Sequence, residues 1–381
     1  MNLPILYILL FVLFIGCAEK SNQILKDSVQ HINLSNRDTH NEFDISQIYP
    51  SKIDLVSLKT ENSFVIANID KVELQNERIF VLDRERSNTL FVFDEQGNPV
   101  SAFSSVNDFT CNAQNLFLLS SNQNSIKIHD ISTMAQVKTI DLMISDISEI
   151  ASVGGNLLCY RETGTLEKEK GTENSTLFLI NYAGKILKHW VALPDPSDYL
   201  NFFTTYPSLR RTGHYVYISR DFMDDFYNYS IEEMELTQSY NVRFEEHAIP
   251  DQMRHIKSQF EFYDRLESEN FSYVAGGYCE SGEYVFFNTT FTDKSIKTVI
   301  FDKKKGISGI YSSLKYADEP YPILALNSLT DDYCISVLPL ELITSIKGQI
   351  DFTMAGEDKF MDFLRDFDVN NGNPVLLIMR K

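Results

Sequence analysis

An acidic and aromatic segment between residues 221 and 229 concentrates side chains suited to binding a ligand. Asp221, Asp224 and Asp225 supply carboxylate oxygens, which are the ligands that Ca²⁺ prefers. Aromatic residues are interleaved with these carboxylates: Phe222, Phe226, Tyr227 and Tyr229. Because aromatic faces also stack on sugar rings, a calcium or sugar site is one interpretation, and a solvated loop packed on neighbouring strands is the other. Asp221, Phe222 and Tyr227 are the candidate binding residues of this segment.

Three arginines occupy equivalent places in the chain. Arg84, Arg161 and Arg220 each follow a strand-like run of apolar residues. In a chain whose net charge is −19, a ring of arginines would attract carboxylates. The alternative is a separate salt bridge for each arginine with a neighbour such as Asp83 or Asp221. The three arginines are further candidate binding residues.

The motifs of the common enzyme and metal-binding families are missing. The seven histidines include no i, i+4 pair and no H-E-x-x-H, and neither a G-x-S-x-G elbow nor a phosphate-binding G-x-x-x-x-G-K-[ST] loop occurs. The sequence therefore predicts no catalytic residue, no metal and no cofactor. With 53 acidic against 34 basic residues, it also disfavours nucleic-acid binding, because the surface repels phosphate.

The N-terminus predicts lipid modification at Cys17. The stretch Ile5–Ile15 is apolar but too short to span a bilayer, as in the core of a signal peptide. The residues that follow end in Gly16-Cys17, which resembles the lipobox of bacterial lipoproteins. Residues 1–16 are therefore predicted to be a signal peptide and Cys17 to be acylated, for example with palmitate. Ala18 replaces the Asp of an inner-membrane retention signal, so the outer membrane is favoured, although the first four residues lack Lys and Arg.

The other four cysteines are widely spaced, and none forms a C-x-x-C pair. They are Cys111, Cys159, Cys279 and Cys334. Buried thiols are predicted, and a Cys279–Cys334 disulfide is the alternative in an oxidising compartment.

Two regions follow the signal peptide. Residues 17–50 are polar and irregular, which predicts a flexible lipidated tether. From residue 51 to 381 short β-rich runs alternate with turn residues, as in Arg78–Asp83, Thr89–Asp94 and the turn at Gly97. Such hairpin units start near residues 79, 116, 157, 215, 284 and 333.

Six units of this kind predict an all-β fold, a six-bladed β-propeller with short helical insertions. The last unit ends with Val375–Met379 and lacks a fourth strand, whereas the early strand Ile53–Leu58 has no partner. This N-terminal strand is therefore expected to close the last blade. A seven-bladed ring and an open pair of β-sheets are the alternatives.

Three segments carry a resemblance to a known family. The unit Ile79–Gly97, the segment that ends at Pro250 with the helix after it, and Asn371–Leu377 resemble the six-bladed β-propeller lipoproteins of Bacteroidetes. The resemblance extends over residues 50–381. It implies a propeller fold and a lipoprotein anchor but no reaction, because that family is mostly of unknown function.

The long connections should gather at one end of the propeller. In a blade, the loop between the second and third strands and the crossover to the next blade leave on the same face. All long connections belong to these two classes: Glu162–Ser175, Pro194–Thr204, Pro250–Asn270 and Leu340–Asn373. Since function concentrates on loops carried by a rigid scaffold, this mouth is the predicted site.

Two of these insertions have helical spacing. One pattern comprises Met253, Ile256, Phe260 and Tyr263, and the other comprises Phe360, Phe363, Leu364 and Phe367. Both helices either cap the propeller through core contacts or form a hydrophobic lid over a pocket. Tyr263 completes the candidate binding residues.

The functional hypothesis is a non-catalytic recognition module. A propeller held at the cell envelope by its N-terminal lipid would bind a protein or glycan partner through the loop-rich face. A hydrolase or lyase with its site at the channel mouth is the alternative, since a propeller can gather acid and base from different blades without a contiguous motif. A structural envelope subunit is the third reading, and whether the protein is an enzyme stays open.

Overall fold

The computed structural model describes residues 22–26, 28–61, 64–161, 175–190, 207–256, 258–349, 359–369 and 372–381. The predicted signal peptide and Cys17 lie outside these residues, as do most of the loop 162–175 and all of the crossover 194–204. The described part is an all-β propeller with a few helices.

The strands of the described residues form six sheets, and most strands that are consecutive in the chain are neighbours in a sheet. The first sheet comprises Lys71–Gln75, Arg78–Asp83, Thr89–Asp94 and Pro99–Ser104, and the second Val106–Cys111, Asn115–Ser120, Ser125–Asp130 and Gln136–Asp141. The third comprises Ile147–Val153, Asn156–Arg161, Leu177–Asn181 and Ile186–Trp190, and the fourth Leu209–Thr212, Tyr215–Ile218, Asp225–Ser230 and Glu235–Phe244. The fifth contains Tyr273–Val274, Cys279–Glu280, Tyr284–Thr290, Ile296–Asp302, Ile307–Tyr316 and Glu319–Ile323. The sixth contains Ser328–Leu329, Tyr333–Leu338, Gly372–Arg380 and Lys52–Lys59.

The helices lie between strands or between sheets. The 3-10 helices are Asn36–Asp38, Ile45–Gln47 and Asp251–His255, and the α-helices are Gln259–Glu269, Leu340–Gln349 and Lys359–Asp366.

Alternating apolar residues explain why the sheets stack on each other. In the strand Arg78–Asp83, Ile79 and Val81 pack against the sixth sheet, whereas Phe80 and Leu82 pack against the second. Both faces of this strand are thus buried, which a single sheet in water cannot achieve. The apolar clusters between successive sheets repeat this arrangement, including one between the sixth sheet and the first.

The predicted closure by an N-terminal strand is confirmed. Lys52–Lys59 pairs antiparallel with the C-terminal strand Gly372–Arg380, and Leu55 lies opposite Leu377. The sixth sheet therefore joins both ends of the domain.

The predicted tether over residues 17–50 is wrong for the described residues from 22 onward. Gln30–Leu34 adds a parallel strand to the edge of the fourth sheet, and Thr39–Asp44 adds one to the edge of the fifth. Tyr49 is fully buried at the end of this segment. The segment resembles a linker in composition because edge strands keep one side in water, so only a few positions need to be apolar. We call residues 22–50 the N-terminal strap.

Buried acids join the first strands of neighbouring sheets. Asp108 accepts a hydrogen bond from Lys71 Nζ of the first sheet (3.0 Å) and one from the Ile150 amide of the third (2.7 Å). Glu149 accepts hydrogen bonds from the amides of Ser208 (3.0 Å) and Leu209 (2.9 Å), at the start of the fourth sheet. These contacts fix successive sheets relative to one another around the axis.

The four cysteines in the described residues are free and buried, so Cys279 and Cys334 form no disulfide. Burial raises the pKa of all four thiols, which lowers the thiolate fraction that reacts.

We expect these thiols to be protected from Ellman's reagent in the native protein. Four thiols should react in urea if Cys17 carries lipid, and a fifth should react in a non-lipidated Cys17-containing control. Rapid reaction of the native protein would contradict the buried placement.

Candidate functional site

A cavity of about 680 Å³ opens at the predicted mouth of the propeller. Most of its described walls come from loops between second and third strands and from the crossovers between sheets, which are the two classes of connection expected there, and strand ends add residues such as Arg210 and Tyr273. Candidate residues Arg84, Asp221, Phe222 and Tyr263 line it. The structure thus brings together side chains from the first and fourth sheets and from the helix Gln259–Glu269.

The wall from the first sheet is built around Asp70. Its Oδ2 accepts hydrogen bonds from the amides of Arg84 (2.6 Å) and Glu85 (3.1 Å), which follow the second strand. The adjacent Asp83 accepts hydrogen bonds from the Ala67 amide (3.0 Å) and the Arg86 amide (3.1 Å). These two carboxylates hold the loop that positions Arg84 at the cavity.

The wall from the fourth sheet is centred on Phe222. Its backbone has a φ of 65°, a left-handed conformation that is costly for a bulky residue. The Phe222 amide donates to the carbonyl of Val274 (2.8 Å). The Phe222 ring packs against the rings of Phe262 and Tyr273, with ring centroids 5.1 Å and 4.7 Å apart. Contacts from the helix and the fifth sheet therefore stabilise the strained turn and place this ring in the wall.

Two tyrosines flank Asp221 in the same cavity. Burial, reinforced by the Asp221 carboxylate, raises the pKa of Tyr263 and of Tyr273 above the usual value for tyrosine. Both hydroxyls therefore stay protonated at neutral pH. Each combines a hydroxyl with an aromatic face, a combination that suits sugars and polar peptide groups.

The helix at this wall differs in register from the one predicted. Asp251–His255 is a 3-10 helix, and the α-helix begins only at Gln259, where the Ser258 hydroxyl accepts a hydrogen bond from the Glu261 amide (3.3 Å). Phe260, expected on the buried face, is 87% exposed, and Phe262 is buried in its place. The pattern failed because the backbone is extended at Ile256, so the two parts do not share one helical period. The second predicted helix agrees better, since Lys359–Asp366 buries Phe360 and Leu364 in the core.

The remaining candidate residues are not among the described lining residues. Arg161 is buried, and its guanidinium carbon lies 5.0 Å from the ring centroid of Phe178. Arg220 is also buried, with its guanidinium carbon 5.5 Å from the ring centroid of Tyr160. The three arginines therefore do not form a ring at the cavity. Tyr227 is buried in the apolar cluster between the third and fourth sheets.

The acidic group after residue 220 is divided between two roles. Asp221 lines the cavity, whereas Asp225 Oδ1 accepts hydrogen bonds from Gln238 (2.7 Å) and Asn241 (2.9 Å) in the adjacent strand. Among the described residues, no group of three or more His, Cys, Asp or Glu side chains could hold a metal ion. Phe226, Tyr227 and Tyr229 pack in the core, as the packed-loop interpretation expects, whereas Asp221 and Phe222 of this segment line the cavity.

Sequence reasoning missed Arg210, Tyr273 and Lys294, which also line the cavity. Arg210 Nη1 contacts the carbonyls of Gly277 (3.5 Å) and Leu326 (3.4 Å), so it links the fourth sheet to both following sheets. Lys294 has a φ of 60°, the second left-handed residue in the wall. Nothing in the local sequence marks these residues, because remote segments bring them to the cavity.

A second cavity of about 660 Å³ adjoins the first. Both are lined by Asn68, Ile69, Glu85 and Asn327, and the second extends toward Leu340 at the start of a helix of the sixth sheet. The mouth therefore offers a long groove rather than one isolated pocket.

Comparison with known proteins relates this geometry to a family. A family model described as a domain of unknown function (DUF4934) matches residues 29–380. No curated protein matches the chain. Among the described residues, no helix combines the length and apolar character needed to cross a bilayer.

One of the similar solved structures has a TM-score above 0.5 and shows the same fold. A crystal structure from Bacteroides fragilis NCTC 9343, described as a "putative exported protein", has a TM-score of 0.69 at 16% identity and covers 92% of this chain and 99% of its own. The WD40 repeats of RRP9 reach 0.43 at 9% identity, covering 86% of this chain and 98% of their own. BamB of Moraxella catarrhalis reaches 0.34 at 11% identity, covering 65% and 62%. The last two scores are too low to carry an argument.

Proposed function

This chain belongs to the DUF4934 family, and we propose that it is a non-catalytic recognition module that binds a protein or glycan partner through the groove at its mouth. The observation that carries this proposal is the cavity itself. Its size suits a ligand of several residues or sugar units, and it combines the aromatic rings of Phe222, Tyr263 and Tyr273 with charged and polar side chains that converge from several sheets.

The propeller that carries this groove is, in our proposal, six-bladed, with one blade for each sheet. Support comes from the apolar clusters, which join each sheet to the next and the sixth to the first. Further support is the antiparallel pairing of Lys52–Lys59 with the C-terminal strand.

We further propose that the protein is exported and anchored by lipid at Cys17, with the outer membrane as its location. The apolar stretch before Gly16-Cys17 supports this anchor. The description of the Bacteroides fragilis relative as exported is consistent with an envelope location.

A hydrolase or lyase at the same mouth has less support. General acid–base chemistry needs acidic or basic side chains that can reach a substrate. Asp70 instead holds two backbone amides of a loop, which gives its carboxylate a structural task. Asp221 and Glu85 also line the cavity, but no catalytic motif in the sequence joins them, so recognition is the better proposal for this cavity.

The test is affinity purification of the tagged, lipidated protein from its own membranes in mild detergent. We expect a stoichiometric partner whose binding is lost in Tyr263→Ala. Loss of an aromatic anchor at the centre of an interface typically costs about 2 kcal/mol, or roughly thirtyfold in affinity. Phe260→Ala is the matched control, because Phe260 lies in the same helix but is 87% exposed.

Each outcome bears on the proposal. Partner binding retained by Tyr263→Ala would place the interface elsewhere. Absence of a protein partner would leave the glycan version, which is tested by binding of the purified protein to immobilised envelope glycans with the same two variants. No binding in either experiment would overturn the recognition module.

A further inference from the structure

The outer edge of the third sheet is where the N-terminal strap begins. The backbone amide of Asn22 donates to the carbonyl of His189 (2.7 Å). The side-chain Oδ1 of Asn22 accepts a hydrogen bond from the backbone amide of His189 (3.1 Å). His189 lies in the outer strand Ile186–Trp190. Both hydrogen bonds fix Asn22 against this edge, five residues after Cys17 in the chain.

This placement limits how far the propeller can stand from an anchored Cys17. One residue spans at most about 3.6 Å of extended chain, so the segment from Cys17 to Asn22 reaches roughly 18 Å. That length is short relative to the domain itself, which for about 350 residues has a radius of gyration of about 20 Å. A long flexible tether would have allowed any orientation, whereas this short one does not.

The surface at this edge suits a bilayer. Leu187 is 42% exposed on the outer strand of the third sheet, and Val137 is 61% exposed on the outer strand of the second. These two strands are adjacent, since Lys138 Nζ donates to the carbonyl of Tyr182 (2.5 Å) in the turn of the third sheet. Lys185 is exposed in the turn before the outer strand of the third sheet and adds positive charge to this edge, in a chain whose net charge is −19. Lys188 is half-buried, and its Nζ donates to the carbonyl of Met234 (2.8 Å). Lysines with exposed apolar neighbours favour an anionic lipid surface.

We propose that the edge formed by the outer strands of the second and third sheets faces the membrane, so that the propeller lies edge-on against the bilayer. This inference rests on the proposed acylation of Cys17. With its edge on the lipid, the axis of the ring runs along the membrane plane. The groove at the mouth then opens sideways, where a partner in the same membrane or the adjacent envelope space can enter.

The test measures energy transfer from a fluorophore on the full lipidated protein to a headgroup-labelled acceptor lipid. The vesicles contain phosphatidylethanolamine and phosphatidylglycerol. One variant carries the label at Leu187→Cys and the matched control at Val100→Cys. Val100 is 44% exposed and also lies on an outer strand, that of the first sheet. The four native cysteines in the described residues are buried, so the introduced thiol is the one that reacts.

We expect severalfold stronger transfer from position 187 than from position 100. Insertion of a flexible spacer of about twenty residues between Ala18 and Asn22 should reduce the difference, because such a chain no longer restricts orientation. Equal transfer from both positions in membrane-bound protein would overturn the edge-on arrangement. Failure of the unlabelled wild-type protein to bind membranes, or equal binding by Cys17→Ala, would instead overturn the lipid anchor.

Discussion

Replacement of Lys71 by methionine is expected to lower the free energy of unfolding by about 3–5 kcal/mol, as is typical when one partner of a buried ion pair is removed. Lys71 Nζ contacts Asp108 Oδ1 (3.0 Å) and donates to the carbonyl of Phe109 (2.6 Å). Both charged side chains are almost fully buried. Methionine fills a similar volume but leaves the Asp108 carboxylate without its counter-ion between the first and second sheets.

The contribution of the Lys71–Asp108 ion pair to stability is also expected to depend on pH. Burial disfavours the charged ammonium, but Asp108 and Glu73 outweigh it and raise the pKa of Lys71 above its usual value. A lysine whose pKa is higher in the folded than in the unfolded protein stabilises the fold below the unfolded pKa of about 10.4, and this stabilisation is lost as the pH rises through the folded value. The cost of Lys71→Met should therefore be present at neutral pH and decline in strongly alkaline solution. It should also decline in acid, because burial raises the pKa of Asp108 to about 6 and a protonated Asp108 no longer pairs with Lys71.

Urea unfolding followed by the fluorescence of Trp190 measures this cost. Trp190 is the single tryptophan and is buried between the third and fourth sheets, so it does not contact the mutated site directly. Lys52→Met is the control, because its ion pair with Asp54 (2.9 Å) lies on the surface, where such pairs contribute at most about 1 kcal/mol. Equal effects of the two substitutions would mean that the buried pair does not stabilise the contact between sheets.

Strand-forming runs made the propeller predictable from sequence. In Arg78–Asp83 and Thr89–Asp94, apolar residues cover both faces of a short strand, and turn residues separate one strand from the next. The closing strand was predictable as well, because Ile53–Leu58 is a strand-like run without a partner in the first unit. Both inferences depend on local pattern and on the need to bury two faces of a sheet, which the sequence displays directly.

The N-terminal strap was not predictable in the same way. Gln30–Leu34 buries only Ile32 and Leu34, and Thr39–Asp44 buries none of its residues fully. Strands that cover the edge of a completed sheet obtain their hydrogen bonds from the partner's backbone, so almost any polar residue fits. Composition alone cannot separate such strands from a linker.

The candidate site was predictable in part. Topology predicted the end of the propeller at which a cavity opens, because the connection classes follow from strand order alone. Residues in the loops themselves, such as Arg84 and Phe222, could be proposed from position. Arg161 and Tyr227 could not be excluded without the structure, because packing between sheets decides whether a loop-proximal side chain points to the cavity or into the core.

Substitution of Tyr49 by alanine should be the second most damaging change, with an expected loss of about 3–5 kcal/mol in the free energy of unfolding, as for other large buried side chains. Tyr49 is fully buried, and its hydroxyl donates to the carbonyl of Thr330 (2.7 Å) in the sixth sheet. Its ring belongs to the apolar cluster between the fifth and sixth sheets. Alanine would leave a cavity there and an unpaired carbonyl at Thr330.

The location of Tyr49 makes this loss informative about the strap as well as about the core. Tyr215→Ala is the control, since Tyr215 is 44% exposed and its loss should leave stability nearly unchanged. Hydrogen exchange at the amides of Gln30–Leu34 adds a second readout. If Tyr49 holds the strap on the sheets, exchange there should accelerate in Tyr49→Ala. Unchanged exchange with lowered stability would mean that the parallel strand pairing holds the strap without its C-terminal anchor. In our proposal an acylated Cys17 lies five residues before Asn22, which contacts the third sheet, so a loosened strap should also release the orientation of the groove at the membrane.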